Sequence, residues 1–97
     1  MIVSTHPLAA DELVDSAEYY ARQGSAGLGD QFIAEFEQVV ALLGSNPDLG
    51  PVWRRPFRRL PLSRFPFSVV YIASGEFLRI VAIAHHSRQP GYWRSRR

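Results

Sequence analysis

The sequence predicts an α+β domain in which a helical hairpin packs on one face of a mainly antiparallel sheet, in the order β-α-α-β-β-β. Three observations carry this prediction. Two segments of the first half repeat their apolar residues at helical spacing. Two segments of the second half are rich in β-branched and aromatic residues and meet at Ser74-Gly75. A short apolar stretch opens the chain. At 97 residues the chain is expected to fold as a single domain spanning 1–97, near the lower end of what buries a self-sufficient core.

Residues 1–5 read as a short strand. His6-Pro7 then reads as a helix start, because proline has its φ preset for the first helical turn. The first helix spans about residues 8–23. Leu13, Ala17, Tyr20 and Ala21 fall on one face, and Asp11, Asp15, Glu18 and Arg22 on the other. Gly24 ends it. The short linker Gly24-Ser-Ala-Gly27 makes a second helix turn back on the first. That helix runs over about 28–45 with a stripe of Phe32, Phe36, Val39, Val40 and Leu43, and Asn46-Pro47 stops it. The acids Asp11, Glu12, Glu35 and Glu37 are read as members of solvated helix faces.

The second half supplies the sheet. Phe57–Leu60 is a strand bracketed by Pro56 and Pro61. Phe67–Ala73 is a strand by composition, Ser74-Gly75 is a tight turn, and Phe77–Ala84 is the returning strand. Alternation along that last strand puts Arg79, Val81, Ile83 and His85 on one face. A charged Arg79 does not belong under helices. His85 is therefore expected on the face away from the helical hairpin, provided no bulge intervenes, and His86 toward the helix edge or rim.

Composition excludes several classes. There are no cysteines, hence no disulfide framework and no thiolate metal site. No apolar run approaches the roughly 20 residues a membrane helix needs, and the N-terminus lacks the pattern of a secretory leader. The expectation is a cytoplasmic protein without membrane association. His6, His85 and His86 have no carboxylates at ligand spacing, so neither metal nor cofactor is expected. No phosphate loop or nucleophile elbow is present.

Charge is polarised. Residues 1–50 carry one Arg against eight acids, a net of −7; residues 51–97 carry ten Arg against one acid, a net of +9. Such asymmetry suits a polyanion or an acidic partner. The basic half ends in His85-His-Ser-Arg88, Tyr92-Trp93 and Arg94, groups that handle protons and phosphate esters. Arg54, Arg55, Arg58, Arg59 and Arg64 form a second block. On a strand, Arg58 and Arg59 point to opposite faces, so only one of them can join the open face.

Several of these pieces resemble the RelE/ParE superfamily of type II toxin–antitoxin toxins. They are Ala10-Asp-Glu-Leu-Val-Asp-Ser-Ala-Glu-Tyr-Tyr20, Gly27-Leu-Gly-Asp-Gln-Phe-Ile33, Asn46-Pro47, Phe65-Pro-Phe-Ser-Val-Val-Tyr71, and Ala82-Ile-Ala-His-His-Ser-Arg88 with Pro90-Gly-Tyr-Trp93. The resemblance covers nearly the whole chain, and its ending is most similar to the plasmid-stabilisation or addiction-module branch. It implies the same α/β architecture and a cognate antitoxin that wraps the toxin. RelE-like members cleave mRNA on the ribosome without a metal; ParE-like members inhibit DNA gyrase.

The leading expectation is ribosome-linked mRNA cleavage. On that reading the resemblance makes His85 a general acid/base, with Arg88 stabilising phosphate and Tyr92 orienting the substrate. Arg58, Arg59, Arg79 and Arg94 would bind RNA phosphate. This chain departs from RelE-like enzymes where Phe67-Ser68-Val69 lacks their basic residue and where Arg58 and Arg59 stand for a lysine pair. The gyrase alternative needs none of these residues as acids or bases. A plain nucleic-acid-binding module is the remaining alternative.

Overall fold

The computed structural model describes residues 1–24 and 27–97. The chain runs β1 (Ile2–Thr5), α1 (Pro7–Ala21), α2 (Leu28–Ser45), β2 (Val52–Arg54), β3 (Phe57–Pro61), β4 (Phe67–Ser74) and β5 (Phe77–His85). The strands form one sheet in the order β1-β5-β4-β3-β2. β1 lies parallel to β5, and the other pairings are antiparallel. The expected class is found, with one strand more than the sequence suggested. β2 is three residues long, lies between Pro51 and Pro56, and pairs with β3 through a shifted register. Its shortness hides it from any period-2 pattern. The expected linker Gly24–Gly27 includes Ser25 and Ala26, which lie outside the described residues.

The helices start and pack as their residues dictate. His6 caps α1 by accepting the Leu8 N–H on its Nδ1 at 3.1 Å, with Pro7 in the first turn. α2 crosses α1 closely at Gly29, where a Cβ would lie 2.6 Å from the Ala17 carbonyl oxygen. Only glycine permits that approach. Phe32, Phe36 and Leu43 of α2 and Leu13, Ala17 and Tyr20 of α1 meet Phe67, Val69, Tyr71, Leu78, Ile80 and Ile83 of the sheet. Phe32 packs edge-on against Phe65 and Phe67, with ring centroids 5.1 and 5.0 Å apart.

Tyr71 ties this core to the loop after α2. Its buried hydroxyl donates to the Pro47 carbonyl at 2.7 Å and accepts the Gly50 N–H at 3.0 Å. Gly50 is seated so tightly that a Cβ would meet the Tyr71 hydroxyl at 2.7 Å.

A bulge in β5 sets the two faces of the sheet. From Phe67↔His85 to Val70↔Ala82 the pairs keep one register; from Tyr71↔Ile80 onward they keep another, and Val81 is the extra residue. Parity therefore flips at Val81. Leu78 and Ile80 face the helices, and so do Ile83 and His85. Val81, Ala82 and Ala84 face the other way, with Phe57 and Val70. That second face is covered by Trp93, Tyr92 and Trp53, so the C-terminal segment acts as a second layer.

Tyr71→Phe leaves the Gly50 N–H and the Pro47 carbonyl without their shared partner. The expected loss is about 1–3 kcal/mol of unfolding free energy, read from the urea midpoint.

Candidate functional site on the open face

The side of the sheet away from the helices carries a groove of about 610 Å³. Strand parity decides what enters it. Arg59 pairs with Val70 and Pro61 with Ser68, so both lie on this face. Arg58 pairs with Tyr71 on the helix face. There its guanidinium donates to the Gly50 carbonyl at 2.8 Å and the Asp48 carbonyl at 3.1 Å, and lies 3.4 Å from the Asp48 carboxylate. Arg58 thus braces the loop after α2, while Arg59 is exposed in the groove.

The two histidines exchange the places expected of them. The bulge turns His85 to the helix side, where its ring stands edge-on to Phe67 at 4.9 Å, beside Asp15, Ser16 and Tyr19. Its Nδ1 accepts the Ser87 N–H at 3.0 Å and contacts the Ser87 hydroxyl at 2.7 Å. With that lone pair occupied, the neutral ring carries its proton on Nε2. His86 takes the open face instead. Its Nε2 lies 2.9 Å from the Oγ of Ser68, which is buried under the groove. The position lacking the family's basic side chain therefore holds a serine that fixes a histidine.

The tail residues gather on a carboxylate that sequence periodicity assigned to solvent. Glu12 of α1 is turned inward. It accepts the Ile83 N–H at 3.0 Å, the Tyr92 hydroxyl at 2.8 Å, and both terminal nitrogens of Arg96 at 2.9 and 3.1 Å. Arg88 stands 3.9 Å away and stacks on the Tyr92 ring at 3.8 Å. Arg96 also donates to the Val81 carbonyl at 3.0 Å, at the bulge itself. The side chains of Glu12 and Arg96 are only 16% and 11% exposed, so the pair is screened little by water. Burial first, and then the hydrogen bond to Glu12, raises the Tyr92 pKa well above the ordinary tyrosine value. Tyr92 is held as a neutral donor.

Glu35 behaves in the same way. It is buried and accepts the N–H groups of Ser63 and Arg64, fixing the turn between β3 and β4. Both glutamates contradict the solvated-face reading, whereas Asp11 and Glu37 are exposed as expected. The missed signal is periodic. Glu12 continues the row Ala9, Ser16, Tyr20, and Glu35 sits between Phe32 and Val39, so each acid interrupts an apolar stripe.

The remaining arginines are scattered. Arg79 lies on the open face, paired with Ile72, and reaches the Arg97 carbonyl at 3.4 Å. Arg94 is exposed and folds its Nε onto the Gly91 carbonyl at 3.2 Å. The groove thus joins Arg59, Ser68, His86 and Arg88 with Trp53 and Trp93. His85 also borders the groove, with its Nδ1 held by Ser87, whereas Arg58 and Tyr92 have their polar atoms engaged elsewhere. Among the described residues no cluster of three His, Cys, Asp or Glu side chains could hold a metal, and no helix is long and apolar enough to cross a membrane.

Two outcomes are expected. Glu12→Ala strands the Arg96 charge and the Ile83 N–H, and should cost about 3–5 kcal/mol in urea unfolding; Asp11→Ala, one residue away and exposed, should stay within about 0.5 kcal/mol. Tyr20, Tyr71 and Tyr92 all have pKa values raised, chiefly by burial. A folded pKa above the unfolded one contributes stability below about pH 10, which is lost as pH rises through the folded value. The urea midpoint should fall on the alkaline side of that pH, and less steeply in Tyr92→Phe.

Comparison with known proteins agrees with this architecture. Residues 3–90 match the family model described as the ParE toxin of the type II toxin-antitoxin system, parDE. Among solved structures, the fold is similar to a chain of the chromosomal ParDE TA system from P. aeruginosa. The TM-score is 0.74, with 23% identity over 88% of this chain and 95% of that one. No curated protein matches by sequence. With the match reaching from β1 through β5 into the tail, the chain belongs to the ParE toxin family of type II toxin–antitoxin systems.

Proposed function

We propose that this toxin arrests growth by obstructing DNA gyrase, without chemistry of its own, and that a cognate antitoxin holds it inactive. The observation that carries the reading is the Glu12 cluster. Metal-independent RNA cleavage needs a base for the ribose 2′-OH, an acid for the leaving oxygen and a cation for the phosphorane. Of the groups suited to those roles, Tyr92 is bonded to Glu12 and kept neutral, and Arg96 is spent on the same carboxylate. His85 borders the groove but has its Nδ1 filled by Ser87 and its ring edge-on to Phe67 on the helix side. Family membership supports the same direction, as does the polarised charge, which offers an acidic antitoxin a basic surface.

The test is to induce the chain without its antitoxin and follow plasmid supercoiling and mRNA 5′ ends in the same cells. Relaxed plasmid with intact transcripts is expected, and co-expression of the antitoxin should restore growth. New transcript ends with unchanged supercoiling would favour ribosome-linked mRNA cleavage instead. Removing a catalytic imidazole costs roughly 10²–10⁴-fold, so full toxicity of His85→Ala is the second expected result.

A further inference from the structure

We infer that the small cavity between α1, the start of β4 and the end of β5 is a socket for an arginine side chain of a partner protein. Asp15 is its carboxylate, and Tyr19, Phe67 and His85 are its aromatic walls. The site lies on the helix side of the sheet, away from the open-face groove. It goes beyond the gyrase reading and does not rest on it. At about 290 Å³ the cavity is at the lower limit for a small-ligand site and has room for one long side chain. One carboxylate and three rings border a single space, and no arginine is among the lining residues.

The walls are fixed before an occupant arrives, so little side-chain freedom remains to be lost. The His85 ring stands edge-on to Phe67 at 4.9 Å, and its Nδ1 accepts the Ser87 N–H. That bond needs the neutral ring, which does not repel a cation. Tyr19 meets Tyr20 edge-on at 5.4 Å, and Tyr20 is itself packed against Phe32 and Phe65. Asp15 differs from the acids that brace the fold. Glu12, Glu35 and Asp48 each lie within 4.0 Å of an arginine; Asp15 has no such partner among the described residues. Arg88, close to His85 in sequence, is directed to Glu12 and the Tyr92 ring instead. The chemistry of the walls selects the occupant. A guanidinium is planar, stacks on aromatic faces and forks onto a carboxylate. An apolar side chain would gain nothing from Asp15, and a carboxylate would be repelled by it. Asp11 and Glu18, exposed on the same helix about one turn to either side, add a field of the same sign. The division of charge therefore separates two kinds of partner: the basic second half suits an acidic protein, and the exposed side of α1 suits a basic one.

Titration of the isotope-labelled chain with three capped glycine peptides tests this, their central residue being arginine, citrulline or leucine and amide chemical shifts the readout. Saturable shifts centred on Asp15, Tyr19, Phe67 and His85 are expected with arginine. Citrulline, which has the same shape without the charge, should bind about tenfold more weakly or worse. Asp15→Asn should weaken arginine binding about tenfold. Tyr19→Leu, which keeps an apolar wall but no ring, should weaken it about threefold. Both residues are exposed, and the amide shifts of the rest of the chain report that each variant keeps its fold. Glu18→Gln removes a charge from the same helix outside the cavity and should change binding by less than about twofold. The inference is overturned if the arginine peptide gives no saturable shifts at these residues, if citrulline or leucine binds as tightly, or if Glu18→Gln weakens binding as much as Asp15→Asn.

Discussion

A single half-buried carboxylate, that of Glu12, organises the part of this molecule that sequence marks as functional. β1 covers β5 only as far as Thr5↔Ile80, and the His6 N–H closes on the Ile80 carbonyl. Past that point the outer edge of β5 would expose the Val81 carbonyl and the Ile83 N–H. Glu12 and Arg96 take those two groups and one another. A charge in such a place is tolerated only when its partners are complete, because the cost of desolvating it is large. Here an arginine fork, a phenol and a backbone N–H complete it. The same contacts seat the tail across the second face of the sheet. They bury Trp93, aim Arg88 along the Tyr92 ring, and close one wall of the groove.

The bulge at Val81 is the other half of the arrangement. One extra residue turns His85 under α1 and brings His86 beside Ser68 and Arg59. The bulge and the carboxylate act at one place, since Arg96 binds the carbonyl of the inserted residue itself. The edge that the bulge distorts is the edge the tail covers, and the side chains that bulging redirects are those that line the groove.

Most of the architecture was legible because it is written in periodicity. The helical stripes, the His6-Pro7 start, the Ser74-Gly75 turn and the Val- and Phe-rich strands each have a local cause, and each is where the sequence put it. The site was less legible for identifiable reasons. Ile80-Val81-Ala82-Ile83-Ala84 is apolar throughout, because both faces of β5 are covered, so alternation carries no mark of a bulge. Arg79 precedes the bulge and lies on the open face, as simple alternation predicts; His85 follows it and lies on the helix side, against that prediction. Glu12 and Glu35 were discounted as surface acids although each interrupts an apolar row. The arginine pair shows the opposite case, where simple alternation sent Arg58 and Arg59 to opposite faces.

The chain belongs to the ParE family, and Tyr92, Arg96 and the Nδ1 of His85 are engaged in structural contacts, which supports the proposal of a toxin that works by the surface it presents. The most direct measurement of the account is hydrogen exchange at the Ile83 amide. It lies on a strand edge that, among the described residues, no other strand covers, and its acceptor there is the Glu12 carboxylate. The account predicts that Ile83 exchanges as slowly as the central amides of β4, through global unfolding. Exchange at the rate of the open edge of β1 would contradict it, since the tail would then not be fastened to the sheet.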